Sequence, residues 1–136
     1  MFRIILSVFL SISAVPVFAG GLFASYDDYA SFVDAKMKNR DFYNAINRLA
    51  SESQIEPQEV RTFHNQLRKA LPYYLTNADV VKRVELENGY FQEMRAYWND
   101  KGNIIFVYAF LHERDEGLAV LHIALNTNSI AIFNMF

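Results

Sequence analysis

The chain has 136 residues, 13 Lys and Arg against 15 Asp and Glu for a net charge of −2, and no cysteine. The missing cysteine excludes disulfides, zinc–thiolate sites and thiol nucleophiles. Mild acidity argues against nucleic acid and anionic lipid surfaces as partners, while a 52% apolar content is ample for one core.

Residues 1–19 read as a cleaved signal peptide. Arg3 and the amino terminus make a small positive region, residues 4–15 are apolar, and Val17 and Ala19 stand at the −3 and −1 positions a signal peptidase reads. The apolar run falls short of the roughly 20 residues a membrane span needs. The expectation is an exported chain, periplasmic or extracellular, with one α+β domain over residues 20–136 and no transmembrane segment once processed. Without disulfides, such a domain relies on its core.

Three helices are expected first. Ser25 with Asp28 makes a capping-box variant, and residues 26–38 line up Tyr26, Tyr29, Ala30, Val33 and Met37. Asp41 caps a second helix carrying Phe42, Ala45, Ile46 and Leu49. A third begins at Pro57, repeats Val60, Phe63, His64, Leu67 and Leu71 at helical period, and stops at Pro72.

Five apolar runs come next, at residues 80–86, 90–98, 104–112, 118–125 and 130–135. They are rich in β-branched and aromatic residues and contain no proline. Turn chemistry separates them: Asn88-Gly89, then residues 100–103 around Gly102, 113–117 and 126–129. The pattern predicts an antiparallel meander of four to five strands, with helices on one face. Residues 104–111 hold no polar side chain and 118–125 hold one, His122, so both strands are expected to be covered on both faces. A five-residue loop at 113–117 would set His112 opposite Leu118, Phe110 opposite Val120 and Tyr108 opposite His122. One face then carries Phe106, Tyr108, Phe110, His112 and His122. The other carries Ile105, Val107, Leu111, Leu121, Ile123 and Leu125.

The order, helices and then a meander, resembles cystatin-like and NTF2-like folds, in which a curved antiparallel sheet wraps helices. The resemblance is architectural and implies no residue roles.

Candidate chemistry is sparse. His122 beside Tyr108 has the makings of a ligand-orienting pair or a general base, but no spacing supplies the second titrating group that catalysis needs. The pair is therefore read as a half-buried histidine bonded to Tyr108 or to a backbone carbonyl. His112, Glu113, Asp115 and Glu116 cluster in one loop, yet Arg114 in their midst opposes a cation and the spacing is not that of a calcium loop. His64 is read as a residue at the core boundary, and no histidine pair has zinc spacing. Glu93 and Arg95 share a face of the second run, which reads as an edge strand blunted by charge. No nucleotide-binding, nucleophile-elbow or metalloprotease motif occurs, and no cofactor is implied. The expected function is an exported binding or interaction module. Phe106, Tyr108, Phe110, Val120 and His122 would form its contact surface for a protein partner, a second copy or a small hydrophobic ligand. The rival is an enzyme or ligand-binding protein with a helix–sheet pocket around His122 and Tyr108.

Overall fold

The structure is a computed structural model that describes residues 6–8, 21–50 and 55–136; apart from 6–8, the expected leader lies outside the described residues. Its elements in order are β1 (Leu6–Val8), β2 (Leu22–Phe23), α1 (Tyr26–Lys38), α2 (Phe42–Leu49), α3 (Pro57–Ala70), β3 (Asn77–Glu85), β4 (Tyr90–Trp98), β5 (Ile104–Arg114), β6 (Gly117–Asn126) and α4 (Ser129–Phe133). Among the described residues no helix is long and apolar enough to cross a membrane.

The helices begin where their capping residues stand. Ser25 accepts from the Asp28 N–H at 3.1 Å and Asp41 from the Asn44 N–H at 3.3 Å, while Pro57 opens α3. A histidine joins them: His64 Nδ1, on α3, accepts the Tyr43 N–H at 3.0 Å and so satisfies a first-turn donor of α2. Arg40, with φ of 58°, closes the far end of α3 by donating to the Arg68 carbonyl at 3.1 Å.

β3, β4, β5 and β6 form the expected antiparallel meander in sequential order. Asn88 and Gly89, with φ of 59° and 82°, turn β3 into β4 as a primed hairpin requires. The inner face, with Phe91, Tyr97, Ile105, Val107, Leu111, Ile123 and Leu125, joins Tyr29, Val33, Met37, Phe42, Ile46 and Leu67 of the helices in one core.

Three expectations are corrected. The run 130–135 is not a fifth strand: Asn128 accepts the Ile130 N–H at 2.9 Å and starts α4, which folds back over the outer face. So short an apolar run carries no periodicity to separate the two outcomes. The loop 113–117 contracts to Asp115-Glu116, because Arg114 pairs with Gly117. An extra residue, Leu121, then bulges between two pairings, so Phe110 faces His122, Leu111 faces Val120 and Tyr108 faces Ala124.

β1 pairs antiparallel with β6, Leu6 opposite Leu125 and Val8 opposite Ile123. β2 takes the other end of the same edge, with Leu22 opposite Ala119. The opposite edge of the sheet is β3.

Candidate functional site

The outer face of the sheet holds the residues that the sequence brings forward. α4 and the residues after it cover its centre. Ile132 is buried with Met94, Tyr108 and Ala124, and Phe106, Phe110, Met135 and Phe136 pack around them. Phe136 stands edge-on to Tyr108 at 5.2 Å. Gln92 Nε2 donates to the Tyr108 hydroxyl at 2.8 Å and to the Met135 carbonyl at 3.3 Å, tying this segment to the sheet. Lys82 Nζ sits 4.5 Å from the Phe136 ring.

Beside this cover runs a strip of stacked rings. Tyr90 and His112 are cross-strand partners whose rings lie parallel, 3.7 Å apart, and Phe110 also stacks with Tyr90 at 5.8 Å. Both imidazole nitrogens of His112 are engaged. Arg114 Nε donates to Nδ1 at 3.0 Å, which leaves Nε2 to donate to the Asn88 carbonyl at 3.0 Å. This use of His112 and Arg114 is the opposite of a cation site: the guanidinium occupies the nitrogen a metal would need.

Of the expected contact residues, Phe106, Phe110 and His122 are half-buried on the outer face, and Tyr108 is buried there. Val120 is not among them. The bulge at Leu121 switches the parity of β6, so Val120 lies in the helix-side core opposite Leu111. His122 meets Tyr108 diagonally, ring to ring at 6.0 Å. Burial lowers the His122 imidazole from its ordinary value and raises the Tyr108 phenol, so both are neutral at neutral pH.

The inner face carries a constellation that the sequence reading missed as a unit. β4 is not an edge strand; it lies between β3 and β5, and Glu93 and Arg95 point from it toward α1. Glu93 is 0% exposed and Arg95 6%. Arg95 Nη1 is 3.0 Å from Glu93 Oε1, Nη2 is 3.0 Å from Asp34 Oδ1, and Nε donates to the Tyr97 hydroxyl at 3.0 Å. Tyr97 in turn donates to Asp34 Oδ1 at 2.7 Å, and Tyr26 donates to Glu93 Oε2. Arg83 Nη1, 3.7 Å from Glu93 Oε2, brings the cluster to two cations and two anions. The signal was present in the sequence: Tyr26 and Asp34 stand at multiples of four along one flank of α1, and Glu93 and Arg95 at the two-residue period of one strand face.

Burial pulls the Arg95 guanidinium down, but Tyr97 and Glu93 outweigh it and its net shift is upward. Burial raises the phenols of Tyr29, Tyr97 and Tyr26. These groups spend their hydrogen bonds on one another, which locks α1 to the sheet and leaves neither carboxylate free as a base. The Tyr29 hydroxyl is buried in the same region and, among the described residues, has no hydrogen-bond partner.

Comparison of the chain with protein-family models, with curated proteins and with solved structures gives no match.

Proposed function

We propose that the protein is a small exported interaction module whose contact surface for a protein partner is the outer face of the sheet beside α4. The observation that carries this reading is the ring strip His112–Tyr90–Phe110, stacked and only half-buried. Stacked rings are already ordered, so covering them releases water at little cost in side-chain entropy, which is how aromatic residues serve at interfaces. On the adjoining α4, Ile130 and Phe133 are 67% and 43% exposed, extending the apolar surface. Export rests on the leader-like residues 1–19.

The rival, a small hydrophobic ligand held against Tyr108 and His122, is less well supported. Phe136 already stands against the Tyr108 ring and Gln92 already uses its hydroxyl. A photo-reactive phenylalanine analogue at Tyr90, introduced in the producing cell, tests the choice. The expected result is a discrete protein adduct, absent when the same probe replaces Glu59 on the exposed side of α3. No adduct at Tyr90, together with a lipophilic molecule that co-purifies and is lost in His122→Ala, would overturn the reading in favour of the rival.

A further inference from the structure

The two edges of the sheet differ in kind. β3 carries Asp79, Lys82, Arg83 and Glu85, with an irregularity between Val80 and Lys82. Charge and a bulge are the usual means by which an edge is kept from pairing with another chain. β6, from Gly117 to Asn126, has no charged residue and no proline. Its one bulge is at Leu121, so the stretch from His122 to Asn126 has no such protection of its own; what covers it is other chain. β2 and the Gly21 carbonyl, which accepts the Val120 N–H at 2.7 Å, cover the beginning of β6. β1 covers its end, opposite Ile123, Ala124 and Leu125.

β1 lies within residues 1–19, the segment whose removal the export reading requires. We infer that processing bares the β6 edge from Leu121 to Asn126, and that a second copy of the chain pairs there. The inference rests on the export reading. That the edge accepts an extended segment is seen in β1, which lies on it in antiparallel register. A second copy fits for a reason of symmetry. An uncharged strand meets its own copy without like-charge repulsion, and antiparallel pairing about a two-fold axis matches the same edge on both sides. With Ala124 at that axis, Ile123 faces Leu125 of the second copy and His122 faces its Asn126. Residues opposite one another across a ladder share a face, so the helix layers of both copies fall on the same side of one continuous sheet.

The test compares two preparations of the whole protein: chain recovered after export, and the 136-residue chain made without export. Intact mass reports the first residue, and gel filtration with light scattering reports the assembly. The expected result is an exported chain that begins at Gly20 and has twice the monomer mass, beside an unprocessed chain at monomer mass. Amide exchange adds the location: protection at residues 121–126 of the exported chain is expected to rise about tenfold from dilute to concentrated solution. An exported chain beginning at Gly20 that stays monomeric, or a dimer whose added protection lies elsewhere, overturns the inference while leaving export intact. An exported chain that still begins at Met1 removes the export reading and this inference with it.

Discussion

Arg95 Nη2 lies 3.0 Å from Asp34 Oδ1, so one guanidinium in the middle of the sheet fastens α1 to it. The same group neutralises Glu93, which is 0% exposed and faces no water. Removing one partner of such a cluster leaves an uncompensated buried charge, which costs far more than the cluster itself contributes.

Arg95→Met is therefore expected to lower unfolding stability by about 3–5 kcal/mol, because buried Glu93 loses its main counterion. The double variant Glu93→Gln/Arg95→Met should recover much of that loss, giving a strongly favourable coupling in a urea-denaturation cycle. Simple additivity of the two single losses would show that the residues do not act as the unit described.

His64 makes stability depend on pH in a defined direction. Burial, with Arg68 nearby, lowers its imidazole below the ordinary 6.5, and its Nδ1 accepts the Tyr43 N–H. A depressed histidine contributes stability that is fully present above the unfolded value and lost as pH falls through the folded value. Thermal stability is expected to decline as pH falls from about 6.5 toward 5, with burial-lowered His122 acting in the same direction. His64→Ala should cost about 1 kcal/mol at neutral pH through the lost first-turn acceptor, and should flatten that decline. An unchanged pH profile in His64→Ala would contradict the assigned bond.

The two faces of the sheet should answer differently to truncation. Phe91, 1% exposed and in the helix-side core, should cost about 3–5 kcal/mol when changed to Ala. Phe110→Ala, in the half-buried strip, should cost about 1–2 kcal/mol, since less area returns to water. Chemical denaturation of both variants checks the order; equal losses would mean that the strip is core and is not open as a contact surface.

The helices were legible because their signals are local. Ser25, Asp41 and Pro57 mark starts, and buried residues such as Val33, Ile46 and Leu67 repeat at helical period. The meander was legible from its turns. The register of β6 was not, because a bulge leaves no mark in a run as uniformly apolar as 118–125, and strict alternation then carried Val120 to the wrong face. The fate of 130–135 was decided by Asn128 and by burial of Ile132 on Met94 and Tyr108, a contact between residues far apart in the chain. The charged cluster escaped for a related reason. Glu93 and Arg95 looked like exposed charge until β3 occupied the edge position and α1 supplied Asp34.

The irregularity at Leu121 gives β6 one residue more than its ladder uses. Leu118 and Val120 point to the helices before it, and Ile123 and Leu125 after it, so even numbers hand over to odd. Shortening the chain by that residue would restore a regular ribbon without turning any other side chain over. The surplus residue thus lets two stretches of one strand send opposite parities into the same core.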